Sequence, residues 1–573
     1  MSGGTEGTEG TEGLRAQRWG RVAGAGAAWL VGMFTMYREA ITSGFGTLHG
    51  GDLDQRLLVY LSEHWFGVMG GDASWRDPSM FFPVTDDLGY TDALVLFQVT
   101  YAPLRLLGFD PFVSFEVTLM ALTTIGFVAT VLLVHRVMKV QFAVAVIAAF
   151  VFAFGNHIAV QTQHGQLLAI GLVPVVGLGV AGAVGRIRRR QPLPAALLAG
   201  GTGALVGLIL FTSYYVGWFM VGATVLATLC VAACAPSVVT PTVRRLRAHG
   251  WSVVLVVTCG FVGLAVALVP FAITYQSALE QSGGRTFDEV AYFTPRVANL
   301  IAFGDANVVW GQALPALPGV TDDIITVPAP TPVLVVTAIM GLLAMLIHTR
   351  SRNDLAVMRL RLQVAAGLLL ASALMTGASV RIGEWTAWRW VWQYVPGAAA
   401  IRVPGRIGMT VTLLVVLAWA LVADAVWSAI RPWVSGTAVQ RSAAVAVIAA
   451  GLLVAVEQVQ TGSVHDLIRT EQVAMMDAVG AAPPGCAAFH VVNPAPANPP
   501  WVDQMDAMLI SHAAGLPTLN GYSGLTPSGW ELNDPDSPDY QQAARAWISR
   551  HSLDGSVCTY DLTAQRWNPS ASP

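Results

Sequence analysis

Two aspartates lie close together near the start of the chain, in the segment Gly50-Gly51-Asp52-Leu53-Asp54-Gln55-Arg56. Apolar residues then recur at helical spacing from Leu57 to Phe66, which predicts an interfacial helix headed by this pair. One carboxylate would suffice as a helix N-cap. The second carboxylate favours a chemical role, since carboxylates accept protons and bind cations. The Gly pair before them would allow a ligand to approach the backbone closely. The cap remains the alternative.

A second acidic cluster follows Phe81-Phe82-Pro83 in the segment 85–92 and contains Asp86, Asp87 and Tyr90. By itself it is typical of a polar turn that caps the next helix through Thr91 or Asp92. The functional alternative is that this cluster faces the first one and contributes to substrate binding.

Arg402 and Arg406 lie four residues apart at the start of a long apolar segment, with Pro404 suited to the first helical turn. A helix N-terminus favours anions, and guanidinium groups bind phosphate oxygens in bidentate forks. The pattern therefore predicts a phosphate site at head-group depth. Arginines that only extend to the membrane interface are the alternative.

His157 and His164 belong to a polar turn, 155–166, and are spaced to share a face of a continuous helix. Their imidazoles could bind sugar hydroxyls, although polar capping of two helix ends is the favoured interpretation of the turn. The sequence contains no HExxH, CxxC, P-loop or Gly-rich dinucleotide motif.

The composition indicates where these groups must be positioned. The chain has 573 residues, of which 54% are hydrophobic and 12% charged, with a mean hydropathy of +0.57. Soluble proteins carry about 25% charged residues, so a soluble enzyme is excluded, as are a disordered chain and a disulfide scaffold. The net charge of −3 gives no electrostatic basis for binding nucleic acid.

Eleven apolar stretches approach the length of about 20 residues that a transmembrane helix needs. They are 22–37, 111–134, 140–154, 167–185, 193–211, 215–235, 251–272, 331–348, 362–378, 407–427 and 442–457. A twelfth stretch, 91–108, is ambiguous because it contains Asp92, Gln98, Pro103 and Arg105. If it does not span, all six Arg-rich clusters fall on one side, as the positive-inside rule requires.

We therefore predict a mainly α, polytopic transmembrane bundle of about eleven spans with a small C-terminal α/β domain outside. Residues 1–21 form a disordered cytoplasmic tail, 22–457 the membrane domain with its first outer loop at 38–110, and 458–573 the extracytoplasmic domain. The protein resides in the inner (plasma) membrane, with its N-terminus cytoplasmic and its C-terminus outside.

Cys486 and Cys558 each begin a strand-like run in this tail, at 486–492 and 557–562. Because the outer compartment should be oxidising, we predict a disulfide between them.

The order of these motifs resembles the GT-C superfamily of membrane glycosyltransferases, and within it YfhO-like and related uncharacterised bacterial members. The resemblance is carried by GDLDQR (51–56), FFPVTDDLGYTDAL (81–94), FAFGNH (152–157), IRVPGR (401–406) and LPTLNGYSGLTPSGW (516–530). It spans most of the chain, although each motif is short.

The resemblance implies transfer of a sugar from a polyprenyl-phosphate donor to a cell-envelope glycan, lipid or protein on the outer face, with inversion. It implies that Asp52 or Asp54 is the general base, without deciding between them, and that Arg402 and Arg406 hold the lipid phosphate. Some members bind a divalent metal, for which Asp52, Asp54, Asp86 and Asp87 could supply oxygen ligands to Mg²⁺ or Mn²⁺.

Two alternatives are a transporter or flippase of lipid-linked glycans and a non-catalytic envelope scaffold. A transporter should carry ionisable residues within its spans. Here the spans contain few, chiefly Glu116 and Asp424, whereas the acidic residues crowd an outer loop, which favours an enzyme.

Overall fold

The computed structural model describes residues 6–51, 54–237, 250–311, 327–350, 352–462, 466–494 and 499–568, together with 241, 244, 247 and 248. Its N-terminal part contains α1 (Glu6–Met36), α2 (Arg38–Thr42), β1 (Thr47–His49), α3 (Asp54–Gly70), α4 (Gln98–Leu106), α5 (Pro111–Leu132), α6 (Phe142–Ala153) and α7 (Asn156–Ala159). The bundle continues with α8 (Val173–Arg188), α9 (Pro192–Thr212), α10 (Tyr214–Cys234), α11 (Gly250–Ser282), α12 (Phe287–Tyr292), α13 (Pro332–Thr349), α14 (Ala356–Ser379), β2 (Arg381–Ile382), β3 (Trp385–Thr386), α15 (Trp388–Tyr394), α16 (Gly408–Ile430) and α17 (Ala438–Val456). The tail contains β4 (Asp466–Ile468), α18 (Arg469–Asp477), β5 (Ala488–Val492), α19 (Pro500–Ala514), α20 (Tyr540–Arg550), β6 (Val557–Asp561) and β7 (Arg566–Asn568).

Ten of the described helical segments are long and apolar enough to cross a membrane, which confirms the polytopic helical class. They are Pro111–Val137, Phe142–Ala159, Gly165–Arg188, Pro192–Thr212, Tyr214–Cys234, Gly250–Ser282, Pro332–Thr349, Ala356–Ser379, Pro404–Ser435 and Ala438–Val456. Each contains most of one of the predicted spans. The segment with α16 is the most enclosed of the ten, so it forms the centre of the bundle.

Helix α1 contains the remaining predicted span, 22–37, but is not among these ten segments. Three glycines interrupt its apolar stretch and Arg21 directly precedes it, which lowers the hydropathy of this part of the helix. The helix also begins at Glu6, inside the stretch 1–21 for which the sequence predicts a disordered tail. A helix that is already nucleated gains one hydrogen bond for each residue added, which allows it to extend beyond its apolar part.

The ambiguous stretch 91–108 forms a 3₁₀ turn, Val95–Phe97, and the short helix α4. Nine helical residues cover about 14 Å, roughly half of the hydrocarbon thickness of a bilayer. The stretch is therefore too short to cross, as the distribution of arginines predicts.

The segments predicted to lie outside meet at one end of the bundle. Strand β1 of the first loop pairs antiparallel with β4, the first strand after the last span. The same loop contacts α10, because the Asp92 carboxylate accepts a hydrogen bond from the Tyr214 backbone N–H at 2.8 Å. The first loop, the start of the tail and the turn before α10, which the sequence predicts on the same side, therefore contact one another.

The tail folds around a three-stranded sheet in which β5 and β6 are parallel and β6 and β7 antiparallel. Strands β5 and β6 coincide with the two predicted strand-like runs, whereas β7 was not predicted. Cys486 and Cys558 form a disulfide, with their Cα atoms 5.6 Å apart. The bridge closes a loop of 72 residues and should stabilise the tail by about 4 kcal/mol in the chain-entropy model.

We expect cysteines introduced at the exposed positions Met69 and Phe109 to react with a membrane-impermeant maleimide in intact cells. Both positions lie in the first loop and are 61% and 47% exposed. A cysteine in place of Arg189, in the turn at the opposite end of the bundle, should react only after permeabilisation. The free cysteines Cys230, Cys234 and Cys259 would be replaced beforehand. Labelling at position 109 only after permeabilisation would overturn this topology.

Candidate active site

Asp54 is the first residue of α3, and a glycine before it allows the chain to turn onto this helix. Gly50 has a φ of +91°, a conformation that L side chains rarely adopt. A Cβ on Gly50 would lie 2.6 Å from the Gln55 Cβ, so a glycine is required for the chain to turn onto the helix. The other aspartate of the pair, Asp52, lies outside the described residues.

His164 is the nearest partner that the fold brings to Asp54. Its Nε2 lies 3.3 Å from the Asp54 Oδ2, and the two side chains are 6% and 26% exposed. The sequence predicted a polar role for this turn, but only the tertiary structure pairs it with the first loop. His157 is instead enclosed in the bundle beside Phe152, with ring centroids 6.3 Å apart.

Arg402 and Arg406 reach the same site from the segment before α16. Burial raises the pKa of Asp54 above its usual range, and the guanidinium groups of Arg406 and Arg402 oppose this rise. Arg406 stacks 4.9 Å from the Tyr215 ring centroid. The Tyr215 hydroxyl accepts hydrogen bonds from the backbone N–H of Arg402 at 3.0 Å and of Val403 at 3.1 Å, which holds this segment in place.

Arg402 has a carboxylate partner that the sequence analysis missed. Its Nε lies 3.0 Å from the Glu289 Oε1 on α12, and its guanidinium lies 4.2 Å from the Phe293 ring centroid. Arg285 shares this partner, with its Nη1 2.5 Å from the same oxygen. No local signal in the sequence connects α12 with this site.

Asp92 is a second carboxylate near Asp54. The sequence analysis considered it only as a cap of the next helix or as part of the second acidic cluster. It does act as a cap, but for α10 rather than for its own segment. Burial raises the pKa of Asp92 to about 6, opposed by the hydrogen bond from Tyr214 and by Arg406, and assisted by the negative charge of Asp54.

The structure does not bring the predicted substrate residues Asp86, Asp87 and Tyr90 to Asp54 through any contact that it describes. Asp86 pairs with Arg76 at 3.0 Å and accepts a hydrogen bond from the Ser277 hydroxyl at 2.8 Å. Asp87 is completely buried, and the Tyr90 hydroxyl donates to the Gln281 side chain. These residues pack the first loop against α11.

The sequence offered four aspartates as ligands for a divalent metal, and one of them, Asp52, lies outside the residues that the structure describes. No group of three or more His, Cys, Asp or Glu residues among the described residues could hold an ion. Among the four aspartates considered as ligands for Mg²⁺ or Mn²⁺, Asp86 is already paired and Asp87 is enclosed.

Tyr522 brings the C-terminal tail into the site. Burial raises the pKa of its hydroxyl to about 12, with a further increase from Asp54 and a decrease from Arg402. It belongs to the motif LPTLNGYSGLTPSGW, the one sequence signal that pointed to this part of the tail.

Comparison with solved structures shows a GT-C-like fold. Arabinofuranosyltransferase AftD from Mycobacteria matches with a TM-score of 0.50 and 13% identity over 97% of this chain and 36% of that chain. The archaeal oligosaccharyltransferase AglB from Archaeoglobus fulgidus, in complex with an inhibitory peptide and a dolichol-phosphate, matches with a TM-score of 0.49 and 11% identity over 95% of this chain and 70% of that chain. An oligosaccharyltransferase of that organism in complex with Zn and sulfate matches with a TM-score of 0.48 and 13% identity over 94% of this chain and 67% of that chain. No family model and no curated protein matches this sequence.

The chain thus has a fold like that of AftD, which agrees with the fold class that its motifs suggested. It spans about a third of the length of AftD.

The raised pKa of Asp54 predicts how the reaction should depend on pH. If Asp54 is the general base that the motif resemblance implies, it must be ionised to act, so sugar transfer should fall as the pH is lowered through this pKa, at a higher pH than for an ordinary aspartate. Arg406→Gln removes an opposing positive charge and should move the midpoint further towards neutral pH. Profiles of kcat/KM against pH measure the midpoint, and an unchanged midpoint in Arg406→Gln would contradict the assignment.

Proposed function

We propose that the protein is an inverting membrane glycosyltransferase. It transfers a sugar from a polyprenyl-phosphate-linked donor to a cell-envelope acceptor on the outer face of the plasma membrane. The proposal is supported by the position of Asp54 at the head of α3, beside His164, and by the influence of Arg402 and Arg406 on the pKa of its carboxyl, in a bundle folded like AftD.

In this mechanism, the ionised Asp54 takes the proton from an acceptor hydroxyl. The acceptor oxygen then forms a bond to the anomeric carbon from the side opposite the phosphate. The bond between that carbon and the phosphate oxygen breaks, and the polyprenyl phosphate leaves with both electrons. Arg402 and Arg406 stabilise the negative charge that develops on the leaving phosphate, as preorganised charges do most effectively in a site that excludes water.

His164 supports this role through its position. Its imidazole lies next to Asp54 Oδ2, where it orients the carboxylate. The two acidic residues that the sequence analysis found in the spans have other partners. Glu116 binds His49 at 2.7 Å, and Asp424 binds Arg361 at 2.9 Å. Both are therefore engaged in packing rather than left as a polar path for transport.

The direct experiment uses the purified protein in nanodiscs with polyprenyl-phosphate-linked sugars carrying a radiolabelled sugar, and a washed envelope fraction as acceptor. We expect label to move to the envelope fraction, and NMR of the product should show the inverted anomer. Movement of intact lipid-linked sugar between leaflets of proteoliposomes, without transfer, would support the transporter instead.

A further inference from the structure

The tail segment 516–530 turns back onto the membrane domain and is held there from both sides. Arg285 donates a hydrogen bond from Nη2 to the Gly524 carbonyl at 2.7 Å. Gly521 lies so close to Phe81 that a Cβ in its place would approach the ring to 2.5 Å. The segment therefore has a defined position against the first loop and the stretch before α12.

Buried polar groups of the tail fix the backbone on either side of Tyr522. The Gln504 Oε1 accepts hydrogen bonds from the Gly521 N–H at 3.0 Å and from the Asn520 side chain at 3.1 Å. The Met508 sulfur lies 3.2 Å from the Tyr522 backbone nitrogen. Because Gln504 and Met508 both lie on α19, this helix fixes the backbone that carries Tyr522.

Helix α19 in turn packs on α3, the helix that begins with Asp54. Arg56 and Asp506 form an ion pair between the two helices, and the Arg56 side chain is 1% exposed. The His512 Nε2 also lies 2.9 Å from the Tyr60 carbonyl oxygen. The tail is therefore fixed to the same element that carries the candidate base.

Hydrogen bonds and ion pairs link the loop of Tyr522 to Arg402. Arg285 binds the Gly524 carbonyl at 2.7 Å and shares the Glu289 carboxylate with Arg402. The effects of Asp54 and Arg402 on the pKa of Tyr522 agree with this placement. Yet the Tyr522 hydroxyl makes no hydrogen bond to any residue that the structure describes, and the side chain is half-buried. A neutral hydroxyl at this place can donate one hydrogen bond and accept others.

We propose that Tyr522 binds the acceptor, and that the C-terminal tail thereby completes the active site. This inference rests on the proposed function. The lipid donor enters from the bilayer and its phosphate lies against Arg402 and Arg406. The acceptor enters from the aqueous side, which is the side on which the tail lies. A hydroxyl-bearing acceptor held by Tyr522 presents its reacting O–H to Asp54.

The test compares Tyr522→Phe with Tyr560→Phe in the full-length protein in nanodiscs. Tyr560 is a buried tyrosine of β6 in the same tail and is packed against Trp567, so its variant is a matched control. Tyr522→Phe should raise the half-saturating amount of washed envelope fraction about tenfold, the effect of one lost hydrogen bond of about 1.4 kcal/mol. Half-saturation by the radiolabelled polyprenyl-phosphate sugars and the thermal unfolding midpoint should not change. Tyr560→Phe should behave as wild type.

Other outcomes separate this inference from the proposed function. If Tyr522→Phe keeps the wild-type half-saturating amount of envelope fraction, the inference is overturned. It is also overturned if only the half-saturating amount of the polyprenyl-phosphate sugars changes. Asp54→Asn is measured in parallel. If Asp54→Asn is inactive while Tyr522→Phe is unaffected, the inference fails and the proposed function stands. If Asp54→Asn and Asp52→Asn are both fully active, the proposed function itself fails.

Discussion

Asp54→Asn should reduce sugar transfer by about 10²–10⁴-fold while leaving the protein folded and inserted in the membrane, because general-base catalysis typically contributes that much. Asparagine keeps the size and most of the hydrogen bonding of aspartate but cannot take a proton from the acceptor. The measurement is transfer of radiolabelled sugar from polyprenyl-phosphate-linked donors, normalised to folded protein.

Asp110→Asn is the matched control for this variant. Asp110 lies at the end of the same loop, and its Oδ1 accepts hydrogen bonds from the backbone N–H of Phe112 at 3.0 Å and of Val113 at 3.1 Å. It is thus an N-cap, a role that asparagine also performs well. Its Oδ2 also pairs with Arg469 at 2.8 Å, where an asparagine can still accept a hydrogen bond, so activity per folded molecule should be retained. Asp52→Asn is measured beside it, since the resemblance left the choice between Asp52 and Asp54 open. Full activity of both Asp52→Asn and Asp54→Asn would contradict the mechanism.

Arg402→Ala and Arg406→Ala should weaken binding of polyprenyl phosphate by about 10- to 100-fold each and also slow turnover. Hydrogen bonds to charged groups contribute about 1.5–3 kcal/mol, and a guanidinium that stabilises the leaving phosphate acts in the transition state as well. Lysine at either position keeps the charge but not the bidentate fork, so Arg402→Lys and Arg406→Lys should restore the function only in part. Binding of radiolabelled polyprenyl phosphate to nanodiscs separates affinity from turnover.

Arg389→Ala provides the comparison for the phosphate site. Arg389 lies on α15, and its guanidinium stacks 5.4 Å from the Phe287 ring centroid. It is an exposed arginine near α12 that lacks a carboxylate partner among the described residues. Affinity for polyprenyl phosphate should therefore remain at the wild-type value. An equal loss in all three alanine variants would indicate a general effect of positive charge at the membrane surface rather than a specific site.

The class of the molecule could be predicted from the sequence because hydropathy is a local property. An apolar segment of about 20 residues predicts a transmembrane helix without reference to the rest of the chain. Ten of the eleven predicted spans are long apolar helices in the structure. The placing of 91–108 followed from the distribution of arginines and agrees with the short helix found there. The two strand-like runs that begin at Cys486 and Cys558 were likewise visible as local patterns.

Local patterns were a poorer guide to which polar residues share a site. Asp86 and Asp87 form the densest acidic cluster of the first loop, but the packing of this loop against α11 engages or encloses both of them. Nothing in a local window distinguishes a carboxylate with an intramolecular partner from one that faces a substrate.

The sequence by itself determined the membrane class and the order of the spans. It also proposed Asp52 or Asp54 and the pair Arg402 and Arg406 as site residues, without deciding between the two aspartates. Only the tertiary structure decided that His164 and Tyr522 join Asp54, and that Glu289 pairs with Arg402. These groups come from five segments far apart in the chain. Their meeting depends on how the helices and the tail pack, which is a property of long-range contacts that no periodicity or spacing in the sequence records.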